Sequence, residues 1–281
     1  MGQELSTTDR LTHTLAQWSS WKVCPARQPE LLRKLGGKSN DAFLVSDGSS
    51  QFVVRINRPA GNLGVDRRRE LQILEDIAAR EYAPCVVYGN QEVLVTRYAS
   101  GGHPDRDGYR SWLVEAGRLF RAIHETPTRV TSTLDPLNRA VRYFHAIDNP
   151  GRLVSECVEV LLQRPRVTPD KICLCHNDLL AENIIANQDG WIAIDWEYAA
   201  PGDPVFDLAV LVEILGADDE GVELLLAGYG AELSREQLDY YRDLYRLIDI
   251  LWWRLKEPRR PVVPGLLQLA ARLGIDKSDG E

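Results

Sequence analysis

The sequence predicts an α+β chain in two lobes, a strand-rich first part and a mainly helical second part. Three observations carry this. Before Ser100, five short apolar runs of strand character surround one amphipathic helix. Ser100-Gly101-Gly102 then loosens the chain. Beyond it, apolar positions recur at helical spacing in one segment after another. The expected lobes are residues 1–98 and 99–281.

Thr7 to Trp21 opens with a helical pattern at Leu11, Leu15 and Trp18, and Pro25 and Pro29 break it. Leu31 to Ile56 reads as three antiparallel strands. The first ends at Leu35, Gly36-Gly37-Lys38-Ser39-Asn40 turns the chain, and Phe43-Leu44-Val45 begins the return. Asp47-Gly48 marks the next hairpin, ahead of Gln51 to Ile56. Paired glycines let backbone N–H groups approach phosphate oxygens, with Ser39 and Asn40 as further donors. The simpler alternative is a hairpin turn and nothing more.

Val65 to Ala79 is a predicted helix with Ile73, Leu74 and Ile77 on its apolar face. Glu70, four residues before Leu74 and seven before Ile77, lies on that same inward face. A carboxylate there needs a partner, and Arg55, ending the run Phe52-Val53-Val54, is the natural one. The alternatives are a Glu70 that only favours the helix start and an Arg55 in solvent. Cys85 to Tyr88 and Val93 to Tyr98, joined at Gly89-Asn90, complete a five-stranded antiparallel sheet.

The second lobe is expected to hold helices at Ser111 to His124, Leu137 to Ile147, Leu153 to Leu162, Val222 to Tyr229, Arg235 to Lys256 and Leu266 to Leu273. His124, ending the first of these, suits a helix C-terminus.

Between these helices lies the stretch from Cys173 to Asp207. The apolar run Ile172 to Cys175 leads into His176-Asn177-Asp178, and Asn183 follows. Two short strand-like runs, Asn183 to Ala186 and Trp191 to Ile194, flank the turn Gln188-Asp189-Gly190; the second ends on Asp195. Strand ends let Asp178, Asn183 and Asp195 converge. An acid to receive a proton, with an amide oxygen and a second acid to hold Mg²⁺, is what phosphoryl transfer from ATP needs. Asp207 is expected to cap the apolar helix Leu208 to Leu215.

His-x-Asp-x-x-x-x-Asn, followed by Ile-Asp-Trp-Glu-Tyr-Ala, resembles the choline kinase and aminoglycoside phosphotransferase family. The match is nearest the branch of bacterial choline kinases and thiamine kinase. The resemblance implies a two-lobed protein-kinase-like fold with ATP and Mg²⁺ as cofactors. Asp178 is then the catalytic acid, Asn183 and Asp195 the metal ligands, and His176 and Asp207 supports of the catalytic loop. It also implies that Gly36, Gly37, Lys38, Ser39 and Asn40 cover the phosphates. Arg55, paired with Glu70, takes the place of the protein-kinase lysine. Thr96, Arg97 and Tyr98 meet the adenine. Only eleven residues separate Asp195 from Asp207, too few for a protein-kinase activation segment, which suits a small substrate.

The implied substrate is a small molecule with a hydroxyl group, a cation being favoured: choline, ethanolamine or thiamine. Trp252 and Trp253 are candidates for an aromatic box around the cation, with core packing the alternative; Glu197, Tyr198 and Glu213 are further candidates. Other readings are an aminoglycoside-type kinase and a nucleotide-binding regulator without catalysis.

Composition limits the partners. The net charge of −8 argues against nonspecific nucleic-acid binding and is compatible with a cationic substrate. The five cysteines lack a paired metal spacing; Cys173 and Cys175 read as strand core, with a C-x-C metal site the minor alternative. There is no signal-peptide pattern and no run apolar enough to span a bilayer, so the expected setting is cytoplasmic, away from membranes. No obligate protein partner is evident.

Overall fold

In this computed structural model the structure describes residues 6–37, 39–59, 64–188, 190–258 and 263–275. The elements in order are α1 (Thr7–Ala16), β1 (Glu30–Leu35), β2 (Asp41–Ser46), β3 (Gln51–Ile56), α2 (Arg67–Asp76), β4 (Val86–Gly89) and β5 (Val93–Arg97). Then follow α3 (Leu113–His124), α4 (Pro136–His145), α5 (Arg152–Gln163), β6 (Cys173–Cys175), β7 (Ile184–Asn187), β8 (Gly190–Ala193) and β9 (Ala200–Gly202). The last four are α6 (Pro204–Leu215), α7 (Asp219–Tyr229), α8 (Arg235–Lys256) and α9 (Val263–Arg272). They fall into two compact units. One comprises Met1–Ala60, Asp66–His103 and Ile184–Glu197, the other Gly61–Val65, Pro104–Asn183 and Tyr198–Glu281.

The first unit is built on an antiparallel sheet of order β1-β2-β3-β5-β4. Strand alternation sorts its side chains. Phe43 and Val45, Phe52, Val54 and Ile56, and Val93 and Val95 point to one face and pack with Leu11 and Leu15 of α1. Ser6 and Asp9 close a capping box that starts α1, which ends at Ala16, ahead of a 3-10 turn at Trp18–Ser20. Arg55, one residue out of phase with Val54 and Ile56, points to the opposite face, between Ala42 and Leu94 on the neighbouring strands. Asp66 caps α2 by accepting from the Arg68 and Arg69 N–H groups, so the helix begins at Arg67 rather than Val65.

The β7–β8 hairpin belongs with this unit. Gly102 exchanges backbone hydrogen bonds with Ala186, and Ala193 donates to the Tyr82 carbonyl. Tyr82 also stacks on Trp196, with ring centroids 6.0 Å apart. The unit therefore differs from a division at residue 98: it runs on to His103 and adds Ile184–Glu197.

In the second unit α6 is buried on every side from Val205 to Glu213, as its near-continuous apolar sequence requires. It packs on α8, the longest described helix. Gly117 of α3 and Gly228 of α7 allow those helices to touch; a Cβ on either would overlap the facing backbone. Asp203, followed by Pro204, is the N-cap of α6, so Asp207 is not the cap the sequence suggested; it sits one turn inside. No described helix is long and apolar enough to cross a membrane.

Candidate active site

In the first unit the Arg55–Glu70 pair is present. Arg55 Nη2 donates to Glu70 Oε1 at 2.8 Å and Oε2 at 2.7 Å. Its Nη1 donates to Asp195 Oδ1 at 3.1 Å, and its Nε to Asn57 Oδ1 at 3.0 Å. Burial alone would lower the Arg55 guanidinium; the Glu70, Asp195 and Glu197 carboxylates outweigh it and hold it above its usual range. Asp195 follows β8 with φ of 63°, a backbone conformation uncommon outside glycine. Enclosure by the surrounding protein pushes its carboxyl up to about 7, Glu197 adds to the push, and Arg55 opposes it. The Asp195 side chain, 35% exposed, still reaches solvent.

The glycine turn lies beside this cluster. A Cβ on Gly37 would stand 2.5 Å from the Asn40 carbonyl oxygen, so the turn needs glycine there. Gly36 is exposed and Ser39 half-buried. Lys38 lies outside the described residues. Asn40 is not a spare phosphate donor: its Nδ2 donates to Glu197 and its Oδ1 accepts from Arg67. At the end of β5, the Arg97 N–H bonds to the Cys85 carbonyl and the Tyr98 N–H to that of Gln51. These two donors are engaged in the protein, so a purine edge beside Thr96 would have to use other backbone groups.

In the second unit β6 delivers the chain into the loop His176–Asp178. Asp207 Oδ2 accepts from the His176 N–H at 2.7 Å and Oδ1 from the Asn177 N–H at 2.5 Å. Its Oδ2 also lies 3.1 Å from His124 Nε2, whose other ring nitrogen meets the Tyr229 hydroxyl at 3.0 Å. The bent loop needs this support, because Asn177 has φ of 61°. Asn177 Nδ2 donates to the Tyr198 carbonyl at 3.1 Å. Asp178, half-buried, follows. Asn183 Nδ2 donates to the Asp178 carbonyl at 2.8 Å and reaches its Oδ2 at 3.4 Å. A carboxylate at the end of a rigid loop, with its neighbouring amide oriented, is the arrangement a proton acceptor requires.

Residues 31–244 match the family described as "Phosphotransferase enzyme family". The chain belongs to that family. Protein LicA of Haemophilus influenzae is 24% identical over 247 residues, which is 79% of this chain and 72% of LicA. Choline kinase LicA from Streptococcus pneumoniae superposes with a TM-score of 0.80 at 20% identity, covering 96% of this chain and 99% of that one. ADP-bound aminoglycoside phosphotransferase APH(2'')-Ib gives 0.66 at 16% identity, covering 96% of this chain and all of that one (100%). The fold is therefore the kinase-like α+β fold, and the chain is a phosphotransferase.

Two of the acids expected to meet a substrate cation do not face one. Glu197 is 2% exposed and bound to Arg67 and Asn40, each at 2.9 Å. Glu213 is 4% exposed and paired with Arg242, Arg246 and Arg272. Both are neutralised by the phosphotransferase's own arginines. Tyr198 is buried, and the Arg139 guanidinium lies 4.0 Å from its ring centroid, so one aromatic face already carries a cation. Trp252 and Trp253 are half-buried and meet edge-on at 4.8 Å; Trp252 Nε1 donates to the Tyr198 hydroxyl at 3.3 Å. Sequence reasoning passed over Arg67, Arg139 and Asp249. For Asp249 a signal existed: Tyr245, Asp249 and Trp252 stand at i, i+4 and i+7, on one face of α8.

Proposed function

We propose that this kinase transfers the γ-phosphoryl group of ATP to the hydroxyl of a small cationic alcohol, with choline, ethanolamine and thiamine as the leading acceptors. One observation carries the chemistry: Asp178 stands on a loop pinned through two backbone N–H groups by the buried Asp207. There it orients the acceptor hydroxyl and takes its proton as the new O–P bond forms, the β–γ bridging bond breaks and ADP departs. The name of the Streptococcus pneumoniae structure, choline kinase, supports the acceptor class.

The donor types, an amide oxygen and carboxylates, suit Mg²⁺. Asn183 directs its amide nitrogen to Asp178, which leaves Oδ1 as an oxygen acceptor. Asp195, Glu70 and Glu197 place three carboxylates around two arginines, an arrangement in which a divalent cation would offset negative charge. Asn183 and Asp195 are accordingly the proposed metal oxygens; bound Mg²⁺ offsets phosphate charge. Arg55 and the glycine turn are the proposed phosphate contacts.

For the cation, the α8 face carrying Trp252 and Asp249, whose side chain is 25% exposed and loosely paired with Arg246 at 3.6 Å, replaces Glu197 and Glu213. Lys256 Nζ lies over one face of the Trp252 ring, 5.7 Å from its centroid, so a substrate cation would take the other face or displace Lys256. ADP release should be measured with choline, ethanolamine, thiamine, sugars, aminoglycosides and 3,3-dimethylbutanol, the neutral isostere of choline. A cationic alcohol is expected to give the highest kcat/KM. Asp178→Asn should lower kcat about a thousandfold while nucleotide binding persists. Near-parent turnover by that variant would remove the mechanism. Equal use of choline and its isostere would remove the cation reading alone.

A further inference from the structure

We propose that Arg67 is a positioning residue for the phosphate end of the nucleotide, acting through Asn40 of the glycine turn. The inference rests on the nucleotide reading above and adds a residue to it. Arg67, whose side chain is 10% exposed, joins three separate stretches of the first unit. Its Nη1 donates to Glu70 Oε2 and to Glu197 Oε2, both at 2.9 Å, and its Nη2 to Asn40 Oδ1 at 2.8 Å. Asn40 Nδ2 returns to Glu197 Oε2 at 2.9 Å and closes the ring. The turn before β2, the first turn of α2 and the residue two beyond Asp195 are thereby tied together.

Two consequences follow from this geometry. The Asn40 amide is held on both its oxygen and its nitrogen, so it serves the turn as an anchor and not the ligand as a donor. Because Gly37 packs against the Asn40 carbonyl, anchoring Asn40 sets where the turn's N–H groups stand. Second, Glu70 Oε2 accepts from Arg55 at 2.7 Å and from Arg67 at 2.9 Å. Without Arg67, Arg55 would be the arginine left to balance both Glu70 and Glu197, leaving that guanidinium less able to receive phosphate oxygens. Such a buried network seldom adds net stability over apolar packing, so its use here as an alignment device fits its place.

The effect should be confined to one end of the nucleotide. Arg55 pairs with Leu94 across the β3–β5 ladder and Phe52 with Arg97, so the expected purine end lies three residues further along the sheet, about 10 Å away. Calorimetric titration of AMP-PNP with Mg²⁺, and separately of AMP, into parent, Arg67→Lys, Arg67→Gln, Asn40→Ala and the Arg67→Gln/Asn40→Ala pair tests this. Arg67→Gln should weaken AMP-PNP about tenfold and leave AMP within about twofold. Arg67→Lys should recover part of the loss. Asn40→Ala should cost little more once Arg67 is gone, since both act in one ring. Equal weakening of both nucleotides, no weakening, or additive costs would overturn the proposal. If Arg67→Gln melts below the assay temperature, Arg67→Lys and Asn40→Ala, which keep the charge, carry the same contrast. If the parent binds neither nucleotide, the nucleotide reading itself falls; if it binds and the variants match it, only Arg67's role does.

Discussion

Each unit contains a nearly buried glutamate fastened by arginines, yet the two clusters behave in opposite ways. Around Glu213, Arg242, Arg246 and Arg272 converge on one carboxylate. Burial alone would raise Glu213, but Arg272 and Arg246 outweigh it and hold the carboxyl below its usual range. The group is satisfied, and it joins α6 to α8 and α9. Around Glu197 the balance is reversed. Arg55 and Arg67 face the three carboxylates of Glu70, Glu197 and Asp195, and burial, with Glu197 adding to it, pushes Asp195 up to about 7. Satisfied charge marks a clamp; charge left in excess at a partly open carboxylate marks a place prepared for another cation.

The largest effect expected from breaking this contrast is at Asp195. Asp195→Ala should lower kcat about a thousandfold, since electrostatic stabilisation is commonly the largest catalytic contribution. Its melting temperature should stay level or rise, because a crowded acid has gone. Paired kinetic and melting measurements on the one preparation check this; substantial turnover, or a marked loss of stability, would put Asp195 among the structural acids.

Glu213→Gln should do the reverse. It leaves three arginines facing a neutral amide, and breaking a buried pair costs about 3 kcal/mol. The urea midpoint should fall accordingly, while KM for ATP and for the acceptor stays at the parent value. A variant of parent stability whose acceptor KM rises would return Glu213 to the substrate pocket where the sequence had put it.

What the sequence reveals and conceals follows from distance along the chain. The Arg235–Lys256 helix is found with both its ends, and Glu70's inward direction follows from the spacing of Ile73, Leu74 and Ile77. These are local periodicities. Local sequence offers Glu197 and Glu213 to a cation because the groups that hold them are remote along the chain. Asn40 lies 157 residues from Glu197, and Arg272 lies 59 from Glu213. Arg67 sits within a run of arginines that reads as a solvated helix start. Asp207 is a different case: Asp203-Pro204 is a stronger helix-start signal, and weighing it would have freed Asp207 for its bonds to the His176 and Asn177 N–H groups.

Asp41 offers the mildest test, because it is a satisfied acid in the same unit as the crowded Asp195. It accepts from Arg58 at 3.0 Å and pairs with Lys34 at 2.7 Å. Arg58, then Lys34, hold its carboxyl down to about 2. Its partners are 49% and 61% exposed, so water and salt screen much of the gain. A carboxyl lowered in the folded state, against about 3.9 unfolded, contributes stability that is full above the unfolded value. That contribution disappears as the pH falls through the folded one. Asp41→Asn should therefore cost about 1 kcal/mol near neutrality. The gap from the parent should narrow steadily between about pH 4 and pH 2, and narrow also in high salt. Urea melts at stepped pH give the measurement. A gap that stays constant with pH would mean that Asp41 contributes by packing and not by charge, and Asp41 would then leave the satisfied class that Glu213 represents.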